Sequence, residues 1–345
     1  MKINNKQIKS LFLMSLVGSG VGQEENSNNQ TEITYPNETN LNSLPKLATN
    51  LTAGENDSDP TLIFAGYPIS FGTYPVTTGG PHYTAQCTAG FMVVNTHSNS
   101  TPCYAGNDND GFLTSTFCFP SITDFGNFPI SPQVYSWDRS TLLGLFADQD
   151  ILLNDDKVKF DYVYVSNRET AGVVPEVQLA PYAVGKDRDL YPVAGLAYVE
   201  LGYKVCAYGA VSGYNCGNLT ELNVKLAIPR PYSTSEGFQE FKQAWGLGKV
   251  DLGTNGFYTE ADVGGPVYTE SNIGDRKVVW ALGHITTFDN NDPNHKLLYY
   301  TPLDKVLPRI LSFSGNCTYT LMTANVTNAE KFQEFQAQVE IPPKN

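Results

Sequence analysis

The chain has 345 residues, 41% of them hydrophobic, which is enough for one large core or two modest ones. Charged residues make up 17%, with 30 Gly, 21 Pro, 20 Tyr and 18 Phe, a balance that favours an all-β protein over a helical one. The formal net charge is -13, from 22 basic against 35 acidic residues, which argues against nucleic acid and anionic membranes as partners.

Residues 1–9 carry three lysines and no acid. An apolar run at 11–17 and a Gly-rich stretch at 18–22 follow, so residues 1–22 read as a signal peptide. No second long apolar run occurs, and no membrane span is expected. Residues 23–60 are polar and rich in Asn and Thr, the composition of a disordered leader. Asn-X-Ser/Thr sequons at Asn29, Asn37, Asn50, Asn56, Asn99, Asn218, Asn316 and Asn325 are candidate glycosylation sites on a secreted chain. From residue 61 the pattern changes to short apolar runs broken by Gly, Pro, Asn and Asp. Examples are AGFMVV at 89–94, VKFDYVYV at 158–165, LNVKLAI at 222–228 and VVWALG at 278–283. Several alternate apolar with polar residues, the period of a half-buried strand. Helical periodicity is poor until PLDKVLPRIL at 302–311, where Pro308 limits one short helix. Phe332 and Phe335 mark a frayed tail helix over 329–340. Many short strands leave a sandwich or closed barrels open. Six cysteines in a secreted chain point to disulfides, and the close pair Cys206 and Cys216 suits a short looped bridge.

Five segments, taken in order, are more specific. IFAGYPI at 63–69, CTAGFMV at 87–93, GFLTSTFC at 111–118, VCAYGAVSGYNCG at 205–217 and YTPLDKVL at 300–307 frame NGFYTEADVGGPVY at 255–268. Together they resemble the bacterial-type chymotrypsin-like serine proteases, the streptogrisin and α-lytic group, over residues 62–312. That family reads GFVTAGHC where this chain has GFLTSTFC, and GDSGGP where it has ADVGGP. The resemblance implies two antiparallel six-stranded Greek-key β-barrels with a short C-terminal helix. The first barrel would span 61–172 and the second 173–312, leaving 313–345 as a tail. It also implies disulfides Cys87–Cys118 and Cys206–Cys216. Cys103, in an insertion at 95–110, and Cys317 then bridge each other or stay free.

Carried over residue by residue, the triad positions read Phe117, Asp161 and Val263. A phenyl ring has no lone pair to take a proton, and an isopropyl group cannot attack a carbonyl. Asp161 is the triad member retained, with Thr286 expected as its hydrogen-bond donor. Of the oxyanion-hole positions Ala261 and Val263, Ala261 replaces a glycine whose N–H forms half of the hole. The specificity-pocket wall reads Thr286, Thr287 and Phe288, and Phe288 is expected to fill or block the site. Ala207 stands where bacterial relatives place an arginine. Asp262 is thus left to pair with a processed N-terminus near Ile63 or Phe64, or to sit in water. Among His82, His97, His284 and His295, His97 is the candidate to lean towards the cleft, whereas His284 reads as a structural strand residue. Thr259 and Glu260 do not make a site without a base. No zinc spacing or phosphate loop occurs, so neither metal nor cofactor is expected.

The expectation is a monomeric, secreted or cell-surface protease homologue without peptidase activity that acts by binding a protein or peptide. Two alternatives are an endopeptidase in which another serine and histidine converge on Asp161, and a cell-surface scaffold.

Overall fold

β-branched and aromatic runs separated by Gly, Pro and Asn form seventeen strands among the described residues. The computed structural model describes residues 61–73, 82–96, 110–118, 133–149, 160–167, 177–229, 241–254, 256–310 and 318–324, all within one unit, Pro45–Asn345. The signal peptide, the leader, the tail helix, Cys103, Cys317, His97 and every sequon asparagine except Asn218 lie outside the described residues.

The first ring contains β2 (Pro68–Thr73), β3 (His82–Thr88), β4 (Met92–Thr96), β5 (Gly111–Thr114), β6 (Gln133–Ser136), β7 (Leu142–Gln149) and β8 (Val163–Ser166). All its pairings are antiparallel: β2–β3, β4–β5, β5–β8, β8–β7, β7–β6 and β6–β2. The chain only bends between β3 and β4, where Gly90 N donates to Leu113 O at 2.7 Å. Residues 82–96 therefore act as one bent strand, and six strands close the ring. The second ring contains β11 (Lys204–Gly209), β12 (Gly213–Pro229), β13 (Phe241–Asp251), β14 (Pro266–Ile273), β15 (Arg276–Asp289) and β16 (Leu297–Pro302). It closes through β11–β12, β12–β13, β13–β16, β16–β15, β15–β14 and β14–β11, again all antiparallel. Counted within each ring, both run in the order 1-2-3-6-5-4, a Greek-key connection closed into a barrel. The expected fold class holds.

Four strands lie outside this expectation. β1 (Thr61–Ala65) runs parallel to β9 (Val177–Val184), which pairs with β10 (Leu190–Leu196), and β10 joins β15 in parallel. The N-terminal strand thus belongs to the sheet of the second ring. β17 (Thr318–Leu321), in the stretch read as a tail, pairs with β4 of the first ring. Its Tyr319 ring lies 4.9 Å from Tyr164 on β8. This explains why all four residues of β8 are buried instead of alternating: β17 covers the face that would otherwise meet water.

The helix α1 (Leu303–Val306) runs into a 3-10 turn, Leu307–Arg309, and ends by Pro308 as its sequence predicts. The main core draws on both rings, from Ile69, Phe91 and Phe112 to Val263, Tyr268 and Leu303. Each such side chain contributes about 1.5–3 kcal/mol by burial. No helix among the described residues is long and apolar enough to cross a membrane.

Candidate functional site

The site is organised by the loop between β13 and β14. Thr259 is extended, and residues Glu260–Asp262 form one 3-10 turn. Asp262 N donates to Thr259 O at 2.9 Å and Val263 N to Glu260 O at 3.2 Å. Gly264 follows with a φ of 88°, a conformation that favours glycine. A Cβ there would lie 2.0 Å from Thr114 Oγ1 and 2.4 Å from Thr88 O. At Gly265 a Cβ would lie 2.2 Å from Tyr208 O. The two glycines are thus fixed by the close approach of β3, β5 and β11. Val263 is buried, and its carbonyl accepts Thr88 N at 3.0 Å. Its N–H, the donor that an oxyanion hole requires, is taken up by Glu260 within the turn. Ala261 carries a second internal bond, its carbonyl accepting Thr88 Oγ1 at 2.9 Å.

Asp262 corrects the sequence expectation. It is fully buried, and its carboxylate is held by five donors of the chain. Oδ1 accepts Val211 N at 2.8 Å and Ser212 N at 3.0 Å. Oδ2 accepts Ser212 Oγ at 2.5 Å, Thr259 N at 2.7 Å and Thr259 Oγ1 at 3.0 Å. Five neutral donors do the work assigned to an arginine at Ala207, which is itself buried on β11. The carboxylate sits directly over Gly209, where a Cβ would come within 2.3 Å of it. Ile63 and Phe64 are interior residues of β1.

Asp161 lies just before β8 and is 1% exposed. Its carboxylate accepts Ser115 Oγ at 2.6 Å, Thr116 N at 3.0 Å and, closely, Thr116 Oγ1. The Thr116–Cys118 3-10 turn therefore docks on this acid through residues that flank Phe117. Phe117 N donates to Ser115 Oγ at 3.0 Å. The Phe117 ring is half-buried, packed on Ala244 and Leu247 of β13 in a cluster that also includes Val224 and Leu226 of β12. Thr286 is not the donor to Asp161 that the resemblance implies. Its hydroxyl lies 2.6 Å from that of Thr301, the β16 residue beside it in the barrel.

Among the described residues, His284 and Ser115 approach Asp161. His284 is fully buried on β15, with Nε2 2.6 Å from the Asp161 carbonyl and 3.9 Å from its carboxylate. A Ser–His–Asp set is therefore present, but in the wrong order. The serine donates straight to the acid, so no imidazole stands between them to take its proton. All three are buried beyond the reach of a substrate.

On the pocket wall, Thr287 pairs with Tyr299 and Phe288 with Leu298. Phe288 is half-buried against the cluster that holds Tyr258, Ile285, Leu298 and Tyr300. Tyr258 donates its hydroxyl to Ala207 O at 3.2 Å, and burial pushes its pKa well above the usual phenol value. Asn290 Nδ2 holds the Tyr258 carbonyl at 2.7 Å. Phe288 and Tyr258 thus belong to one apolar cluster.

Disulfides Cys87–Cys118 and Cys206–Cys216 are formed as the resemblance implies. The first ties the turn carrying Phe117 to β3, and the second joins directly paired residues of β11 and β12. Asn218 is exposed on β12. His295 is exposed, with Nδ1 2.9 Å from Asp251 Oδ2. No group of three or more His, Cys, Asp or Glu side chains suited to a metal occurs among the described residues.

Sequence reasoning missed Ser115, Thr116, Ser212 and Gly209. The signals were faint: two hydroxyls just before the Phe117 position, and a glycine and serine in the Cys206–Cys216 loop.

No protein-family model matches the chain, and no curated protein matches it. Solved structures similar to it are bacterial chymotrypsin-like serine proteases. Protease A of Thermobifida fusca is 19% identical, over 76% of this chain and 100% of that one, with a TM-score of 0.46. The chymotrypsin of Cellulomonas bogoriensis is 19% identical over 76% and 100%, with a TM-score of 0.44. A Nocardiopsis protease is 17% identical over 75% and 99%, also with a TM-score of 0.44.

Proposed function

We propose that this chain is a secreted protein on a protease-like scaffold that binds a protein or peptide partner and does not hydrolyse peptides. One observation carries the reading: the loop at 259–263 offers a methyl-capped side chain at Val263 and places the Val263 N–H on Glu260 O. Neither the nucleophile nor this oxyanion donor is available to a substrate carbonyl. Phe117 at the base position supports it, as does the apolar Phe288 at the pocket-wall position. Two disulfides and the N-terminal segment at 1–22 support secretion. Purified protein incubated with fluorescent casein and with a fluorophosphonate probe is expected to give neither cleavage nor label. Cleavage that is lost on treatment with the probe would overturn the reading.

The enzyme alternative draws on Ser115 and His284, which both meet Asp161. Its test is Ser115→Ala: an active enzyme of this kind loses all hydrolysis and all label in that variant. A cell-surface scaffold is distinguished by fractionation, because a free secreted binder is recovered from the medium.

A further inference from the structure

A cavity of about 520 Å³ lies where the β9–β10 hairpin meets the start of β15. Its wall includes Pro181, Tyr182, Tyr191, Pro192, Arg276 and Lys277. Tyr182 and Pro192 are direct cross-strand partners, and Tyr182 is 37% exposed, so an aromatic ring and a proline form one continuous face. Among the described residues, the charged ones lining the cavity are the two cations. Lys277 is held in place: its ammonium lies 5.0 Å over the Tyr191 ring and 3.5 Å from Glu270 Oε2. Arg276 is exposed and has no ion pair among the described residues. In a chain of net charge -13, adjacent cations on a proline and tyrosine face are a local exception.

This chemistry fits one class of ligand. Aromatic rings alternating with proline accept the ridges of an extended polyproline-type segment, which enters with little conformational entropy left to lose. A guanidinium beside them takes a carboxylate in a bidentate pair. We propose that this groove binds an extended, proline-containing acidic segment of a partner protein. The groove is separate from the Val263 loop: Lys277 and Phe288 lie eleven residues apart on β15, about 36 Å of strand. Binding here therefore stands or falls independently of the proposed lack of hydrolysis.

The test uses the full chain and a fluorescein-labelled peptide of alternating Glu and Pro-Pro, read by fluorescence anisotropy at low salt. Saturable binding is expected, weakened at least tenfold by Arg276→Glu, by Tyr182→Ala, or by replacing the peptide's Glu with Lys. Failure of the wild-type chain to bind at millimolar peptide overturns the proposal. So does an Arg276→Glu variant that folds, as judged by its circular dichroism, and binds unchanged. The chain's own EIPPK at 340–344 carries the same chemistry. A full-chain variant with Glu340, Pro342 and Pro343 replaced by Gly should bind the peptide as the wild type does. A tenfold gain in that variant would assign the groove to the chain's own end and overturn the partner.

Discussion

Asp262→Asn is the sharpest perturbation of this fold, because it changes one atom of a fully buried side chain. The carboxylate receives three backbone N–H groups and two hydroxyls at 2.5–3.0 Å. An amide in its place has one acceptor oxygen. Turned with that oxygen towards Val211 and Ser212, it faces its NH2 at Thr259 N. The two hydroxyls can rotate to accept from the amide, but the Thr259 N–H cannot. A stranded buried N–H costs about 1–3 kcal/mol. The two remaining backbone bonds fall from charge-assisted to neutral, at roughly 1 kcal/mol each. The opposite rotamer strands two N–H groups and is worse. The sum is about 3–5 kcal/mol, a drop of roughly 10 °C in Tm for a domain of this size. The assay is equilibrium urea unfolding with the disulfides intact, compared with wild type. A carboxylate solvated by water, or paired to a chain terminus that an amide also satisfies, would tolerate the change. A measured loss below 1 kcal/mol would refute the five-donor account.

Gly264→Ala should cost at least as much, because its Cβ meets Thr114 Oγ1 and Thr88 O at a positive φ; a failure to recover folded protein is the expected readout. The pair Phe117→His and Val263→Ser should not produce detectable casein hydrolysis, since the residue 263 N–H remains on Glu260 O; turnover above blank would contradict that. The His295 imidazole is held above its usual 6.5 by its hydrogen bond to Asp251 and by that residue's charge. Asp251 is held below the usual carboxylate value by Gly253 N and then by His295. The histidine's contribution is therefore full below pH 6.5 and fades as pH rises through the raised value, whereas the aspartate's is present above 3.8 and fades as pH falls through the lowered one. An NMR titration of His295 in Asp251→Asn should move its midpoint down towards 6.5. Asn218→Gln should remove one glycan by intact mass if the exposed Asn218 sequon is used in a glycosylating host.

The all-β class was legible because its information is local and repeated, whereas the two barrels came from the resemblance. Each strand run carries its own turn residues. Of the disulfides, Cys206–Cys216 was legible from its close spacing, and Cys87–Cys118 from the resemblance alone. The partners of the acids were not. Asp161 and Asp262 are satisfied by Ser115, Thr116, Ser212 and Thr259, residues of ordinary composition whose hydroxyls become significant only once distant segments meet. Reasoning from the resemblance assigned Asp161 to Thr286, and Asp262 to a terminus or to water, because the family pattern supplies partners by position rather than by reach. β17 was also hidden. Its outward residues are polar, and only Tyr319 and Leu321 face the ring, too short a pattern to separate from a tail.

A buried carboxylate that loses its counter-ion is among the costlier defects a fold can carry. The family pattern sets a histidine beside the acid at 161 and an arginine beside the acid at 262; this chain has Phe117 and Ala207 at those positions. Neither acid depends on the residue concerned. Asp161 is bound through Ser115 and Thr116, next to Phe117 but not through its side chain. Asp262 is bound through the turn at 211–212 and through Thr259, leaving Ala207 free to pack. Both acids thus hold loops in place by accepting hydrogen bonds, a role that needs no proton transfer. The same bonds draw the Val263 N–H into the turn at Glu260. Stability of the loop and exposure of an oxyanion donor are therefore in opposition here, and the hydrogen bonds side with the loop. Loosening the turn at Thr259 should free the 263 N–H and destabilise the barrel together, so no single substitution should restore one without loss of the other.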